Sequence, residues 1–331
     1  MKKLIRKLSK TPEQKKLNQN LIDKIDSMPL ITEEIPFEYK YDENEEKLVP
    51  SIDLCNNFIE RFENFVQSSC KTILIADYDN TFTKRFYGDD ENYNSFNVIE
   101  QFSKVFQERQ YKNYQKYHVY EHNMNESEAR EKLKEWYGKT FIDFTETKIK
   151  KGDFKNLIKR VMVDEQKVWY RNGATKLFNQ MLEKKIPLIL ISCGIRDVLE
   201  EELKIFLGEE KYNQLINEKL LFIIGNELIY DNEDGSSIGF KIPYIYTCNK
   251  SEFVKKVFDK IRNDEKVKVL MFGDNYYDID LTESINENLD QLLGVALDNK
   301  GKVNFIPKYQ ACILGDGDFR LINFIVSMIK N

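Results

Sequence analysis

Three short apolar runs in this chain each stop abruptly at a polar cluster. Lys71-Thr-Ile-Leu-Ile-Ala ends at Asp77, Pro187–Ile191 ends at Ser192, and Val267–Phe272 ends at Gly273-Asp274. Runs of this length, rich in β-branched residues and lacking polar alternation, read as strands buried on both faces. Leu221–Ile224 and the weaker Leu292–Ala296 read the same way. Between them, Ala174–Lys184, Asp197–Phe206 and Ser251–Ile261 carry apolar residues at helical spacing. Strands alternating with helices predict an α/β fold with a parallel sheet covered on both sides.

The rest of the chain has a different texture. Residues 1–50 are rich in Lys, Glu and Asn and read as a partly flexible leader with a short helix around Asn18–Met28. Ile52, Phe58, Phe62 and Phe65 predict a helix with one apolar side, capped by Ser51 or Asp53. Residues 89–166 are polar and aromatic, with helical patterns at Glu126–Trp136 and Phe141–Lys150 and no evident buried strand. The expected organisation is a leader (1–50), a core domain (51–88 and 167–331) and a small helical cap inserted at 89–166.

Composition narrows the function classes. The net charge of −5 over 331 residues argues against a nucleic-acid partner, whose binders carry a positive excess. No stretch reaches the roughly 18–20 apolar residues of a membrane span, so no stable membrane association is expected. The basic start, Met1-Lys-Lys-Leu-Ile-Arg-Lys-Leu8, lacks the apolar core of a secretory signal. Five scattered cysteines without a C-x-x-C pair fit a reducing, cytoplasmic setting better than a disulfide framework or a zinc site. His118 and His122 are the only histidines and read as surface residues of a cap helix.

The polar clusters carry the candidate chemistry. In open α/β sheets the strand C-termini form the ligand crevice. Asp77 and Asp79 leave one such end, and paired carboxylates repel, so one tends to stay ionised while the other's pKa rises. That division suits a nucleophile beside a general acid/base. Ser192-Cys193-Gly194-Ile195 enters a helix, where a hydroxyl and free N–H groups can hold a phosphate oxygen. Asp274 and Asp278 offer oxygen ligands to a hard cation such as Mg2+. Lys250, ahead of a helix, can neutralise a phosphoryl group. Each cluster by itself also reads as an ordinary turn.

Together and in this order, the clusters resemble the four motifs of the haloacid-dehalogenase (HAD) phosphatase superfamily. Ile186-Pro-Leu-Ile-Leu-Ile-Ser-Cys-Gly-Ile-Arg-Asp-Val-Leu-Glu-Glu201, Glu135-Trp-Tyr-Gly-Lys-Thr140 and Asn249-Lys250 resemble the cytosolic 5′-nucleotidase III (pyrimidine 5′-nucleotidase) group. The resemblance covers about residues 50–331. It implies a Rossmann-like core, a helical cap and Mg2+-dependent hydrolysis of nucleoside 5′-monophosphates, either UMP and CMP or 7-methyl-GMP. By the same resemblance Asp77 attacks phosphorus and forms an aspartyl phosphate, and Asp79 protonates the leaving oxygen and then activates water. Mg2+ is held by Asp77, the Asp79 carbonyl, Asp274 and Asp278. Ser192 and Lys250 hold the transferring phosphoryl group, and Cys193 counts among the substrate-binding residues. Glu121 and Thr140 contact the base or sugar, and Tyr137 and Phe96 sandwich the base, although these aromatics also read as cap core. Cys193 and Thr140 stand where the family usually has Ala and Ser. Three alternatives stay open: a HAD phosphatase of another small phosphomonoester, a non-catalytic pseudo-phosphatase that only binds, and transfer of the phosphoryl group to a nucleoside hydroxyl instead of water.

Overall fold

The computed structural model describes residues 12–28, 52–55, 57–87, 90–122, 127–299, 305–306 and 308–330. At its centre lies a seven-stranded sheet. In chain order its strands are β1 (Ile52–Leu54), β2 (Lys71–Asp77), β3 (Leu188–Ile195), β4 (Leu221–Asn226), β5 (Val267–Gly273), β6 (Leu289–Asp298) and β7 (Ala311–Leu314). Their order across the sheet is β1-β7-β6-β5-β2-β3-β4. All neighbours are parallel except β1, which runs antiparallel to β7. The parallel α/β sheet expected from the sequence is present.

The continuous apolar runs have a direct explanation. Successive side chains on a strand point to opposite faces. In β2, Ile73 and Ile75 join Val254 and Phe258 of the helix Lys250–Arg262 on one side. Leu74 and Ala76 join Phe62, Phe178 and Ile325 on the other. With helices on both faces, neither side of the strand meets water, so no polar alternation survives.

Topology then places the crevice. From β2 the chain builds β3 and β4 on one side, then returns to build β5, β6 and β7 on the other. This reversal opens a gap beyond the carboxyl ends of β2 and β5, where ligands of such sheets bind.

Between β2 and β3 the chain forms helices Ser95–Glu100, Lys104–Tyr117, Ser127–Thr145 and Lys151–Lys159. The two separate helical patterns read from sequence are one helix, Ser127–Thr145, with Gly138 inside it. Residues 146–150 do not continue it. Lys150 bridges Ser236, and Ser237 N donates to Ile149 O, because a hairpin from the sheet side (Leu228–Tyr230 with Ser237–Phe240) takes up that backbone. Phe240 of the hairpin packs 4.5 Å from Phe141.

Two further expectations need correction. Ile52 and Asp53 are not part of a helix start. They pair with Ile313 and Cys312 as the edge strand β1, and the helix runs Phe58–Gln67 after Asn57. The alternation Ile52-Asp53-Leu54, buried-exposed-buried, was the overlooked strand signal. Ser51 lies outside the described residues. The leader helix runs Pro12–Asp26, earlier than read, and buries Ile25. The remainder of residues 1–50 lies outside the described residues. Among the described residues, no helix is long and apolar enough to cross a membrane.

Candidate active site

The site begins with backbone register. Ala76 of β2 pairs with Phe272 of β5, so Asp77 and Asp274 leave neighbouring strands at nearly the same level. Lys250 opens its helix and reaches both Asp77, as a close ion pair, and Asp278, 3.9 Å away. Asp278 N is bonded to Asn275 O, and Asp278 Oδ2 accepts Asn275 N at 2.9 Å. This tight turn needs glycine at 273, because a Cβ there would lie 2.4 Å from Asp278 Oδ2.

Asp77, Asp274 and Asp278 bring carboxylate oxygens within 4.8 Å of one another. Asp77 and Asp278 are buried and Asp274 half-buried. Burial, opposed by Lys250 and reinforced by Asp278, pushes Asp77 up to about 7. Burial and the neighbouring Asp278 and Asp77 raise Asp274 well above the usual carboxylate range. Burial alone would lower Lys250, but Asp77 foremost holds it above its ordinary value. One lysine facing three carboxylates leaves negative charge that a low-dielectric site stabilises poorly. The all-oxygen donor set fits a hard divalent cation. Burial, more than the neighbouring Asp79, accounts for the rise at Asp77.

Asp79 is fixed differently. Its Oδ1 accepts Ser95 N at 2.7 Å, and its Oδ2 accepts the hydroxyls of Ser95 at 2.7 Å and Ser192 at 2.9 Å. The Ser192 hydroxyl oxygen in turn accepts Gly194 N at 2.8 Å. A Cβ at 194 would lie 2.2 Å from Ser95 Oγ, so the small residue admits the insertion's first helix to the strand end. Ser95 was not singled out from sequence. Its signal is the Asn94-Ser95 start of an apolar turn, with Asn94 capping the helix.

A cavity of about 830 Å3 opens over these groups, lined by every candidate catalytic, metal-ligating and substrate-binding residue read from the sequence, on both the sheet and the insertion side. On the insertion side, Phe96 and Tyr137 meet edge to face, 5.9 Å apart at 75°, rather than as parallel plates. Tyr137 OH lies 3.5 Å from Thr247 Oγ1. The Thr140 hydroxyl donates to Gln110 Oε1 at 2.7 Å, so that hydrogen is already engaged. Glu121 lines the cavity from the 3-10 turn His118–His122. Trp136, Tyr111, Tyr114 and Glu100 also reach it. Burial raises Glu100 above its ordinary value. Burial pushes the Cys193 thiol, beside Tyr137, up to about 11. The His118 ring stacks on Tyr114 at 4.7 Å, and no histidine belongs to a metal-competent cluster among the described residues.

Comparisons with known proteins agree in direction. The family model described as Pyrimidine 5′-nucleotidase (UMPH-1) matches residues 80–330. A 7-methylguanosine phosphate-specific 5′-nucleotidase A of Xenopus laevis is 26% identical over 203 residues, covering 59% of this chain and 64% of that protein. The chain therefore spans just under two thirds of that relative. A 7-methylguanosine phosphate-specific 5′-nucleotidase of Gallus gallus is 22% identical over 275 residues, covering 80% and 89%. A solved cytosolic 5′-nucleotidase IIIB, bound to cytidine, shares the fold at a TM-score of 0.66 and 18% identity, covering 84% of this chain and 92% of that one.

Proposed function

The chain belongs to the pyrimidine 5′-nucleotidase (UMPH-1) family, and from that premise we propose that it is a Mg2+-dependent 5′-nucleotidase, releasing phosphate from nucleoside 5′-monophosphates. One observation carries the reading. Four polar clusters far apart in sequence converge on one cavity, with Lys250 against Asp77 and Asp79 between Ser95 and Ser192. Phosphoryl transfer asks for in-line positioning and charge neutralisation more than elaborate side-chain chemistry.

In this reading residues 89–166 form a cap over a core of 51–88 and 167–331. Asp77 is the nucleophile: a carboxylate oxygen bonds to phosphorus as the ester oxygen departs. Asp79 gives its proton to that oxygen, then takes one from the water that hydrolyses the aspartyl phosphate. Lys250 neutralises the phosphoryl oxygens. Ser192, whose hydroxyl reaches Asp79, rotates it toward the same oxygens, with Cys193 beside them. Asp77, the Asp79 carbonyl, Asp274 and Asp278 would hold Mg2+, which supplies the positive charge that favours ionised Asp77 and a transferring phosphoryl group. Phe96 and Tyr137 offer aromatic surface to the base, and Glu121 an acceptor, with Thr140 supporting the pocket through Gln110. The base is a pyrimidine or 7-methylguanine, as in the relatives' names. The setting is cytoplasmic, as for the cytosolic nucleotidase whose fold it shares.

The test is phosphate release from UMP, CMP, AMP, GMP, 7-methyl-GMP and a sugar phosphate, with Mg2+ and with EDTA. Release from a pyrimidine nucleotide or 7-methyl-GMP, abolished by EDTA, is the expected outcome. Release from the sugar phosphate alone would overturn the nucleotide assignment. Folded protein that releases none would overturn the nucleotidase assignment and favour the binding-module alternative.

A further inference from the structure

The turn that carries Asp77 and Asp79 is gripped by two residues adjacent in sequence, Tyr170 and Arg171, where the chain returns from the insertion toward β3. Arg171 is buried beneath the site. Its Nε donates to Thr81 O at 2.7 Å and its Nη1 to Gly317 O at 2.6 Å. Its Nη2 donates to Asn80 O and Asn299 Oδ1, both at 2.6 Å, and lies 2.8 Å from Asp316.

Asn80 is held at φ +57, a left-handed conformation uncommon for side-chain-bearing residues but among those asparagine tolerates best. Its carbonyl is fixed twice, by Arg171 and by Asn299 Nδ2 at 3.0 Å. The Asn299 amide also stands 3.4 Å from Asp274 Oδ2, linking the ends of β2 and β5. On the other side of the turn, the Tyr78 ring is anchored below the sheet. Its hydroxyl lies 2.6 Å from that of Tyr170 and donates to Glu202 at 2.5 Å. The Tyr170 ring is stacked on Phe206 at 3.7 Å. Backbone bonds complete the grip: Arg171 N donates to Phe82 O and Lys84 N to Trp169 O.

We infer that Tyr170 and Arg171 are positioning residues that fix the Asp77–Thr81 turn from both sides, so that Asp77 and Asp79 point into the cavity. The inference rests on the nucleotidase reading, which gives those carboxylates their work. Neither residue need touch substrate. A planar guanidinium spreads five N–H donors over three nitrogens and so reaches acceptors well apart, whereas a lysine's three donors share one nitrogen. Disturbing the grip displaces the nucleophile while leaving the cap side of the cavity as it was. The effect therefore falls on kcat and not on KM.

The experiment is steady-state kinetics of R171K, N299A and Y78F, on the best nucleotide and on p-nitrophenyl phosphate, with thermal unfolding alongside. R171K is expected to lose about 100-fold in kcat on both substrates, the scale of a displacement near 1 Å, with KM within about threefold of wild type. N299A and Y78F are expected to lose about tenfold in kcat, as smaller displacements. Wild-type kcat in folded R171K overturns the inference, as does a loss confined to KM. Should R171K not fold, wild-type kcat in both N299A and Y78F overturns it. An inactive wild type on every phosphomonoester defeats the nucleotidase reading itself and removes this inference with it.

Discussion

At the sheet end of the cavity, Asp77, Asp274 and Lys250 leave the ends of buried strands and a buried helix start, whereas at the insertion end Phe96, Tyr137 and Glu121 come from three separate helical segments. The first group is placed by main-chain register and close ion pairing. The second is placed by side-chain packing, such as the edge-to-face contact of Phe96 with Tyr137. The difference separates two kinds of tolerance. A group set by register cannot be moved without moving a strand. A group set by packing can be exchanged for another of similar size at a cost usually below about 1.5 kcal/mol. On the proposed function, reaction type then belongs to the sheet and selectivity to the insertion.

The comparison breaks most decisively at Asp77. Asp77→Asn removes the nucleophile and one charge from the acidic cluster, so turnover should fall by at least about 10⁴-fold. The buried amide still meets Lys250, so circular dichroism should show an intact fold. Normal phosphate release by this variant would refute the assignment of the sheet end. At the insertion end the expected effect is smaller and selective. Tyr137→Ala should lower kcat/KM for the nucleotide by about tenfold, in the range of a lost base–aromatic stack. It should leave p-nitrophenyl phosphate nearly unchanged. Equal losses on both substrates would make Tyr137 a packing residue instead.

A third measurement sharpens the contrast through stability. Burial pushes Glu202 from its usual 4.5 up to about 8. A carboxyl whose folded pKa is raised contributes stability that is complete below its unfolded pKa and is lost as pH climbs through the folded one. Tm should therefore decline between about pH 4.5 and 8, and Glu202→Gln should flatten that decline by about 5 °C or more. Parallel Tm profiles for the two proteins would show that Glu202 is not protonated within the fold.

The sheet end was legible because its signals are local. An apolar run that stops at Asp77, at Ser192 or at Gly273-Asp274 states both the strand and what stands at its end. The edge strand Ile52–Leu54 was not legible in this way, since three residues suffice only when Ala311–Ile313 lies alongside. Arg171, Asn299 and Ser95 went unnoticed for a related reason. Each acts on a residue distant in sequence: Arg171 on Asn80, Asn299 on Asp274, and Ser95 on Asp79. Nothing beside an arginine in Trp169-Tyr-Arg-Asn-Gly173 announces partners at Asn80 and Thr81 on one side of it in sequence and at Asn299, Asp316 and Gly317 on the other. The bond from the Thr140 hydroxyl to Gln110 was equally hidden, because the two residues stand on different helices.

Strand β2 is bonded to β5 on one side and β3 on the other, with apolar clusters above and below. For amide hydrogen exchange, such a strand opens only when the whole sheet opens, at the global free energy of unfolding. Asp77 terminates this interior strand. Fluctuations of the insertion therefore reach Asp79 directly, through its bonds to Ser95, whereas Asp77 is held by the strand itself.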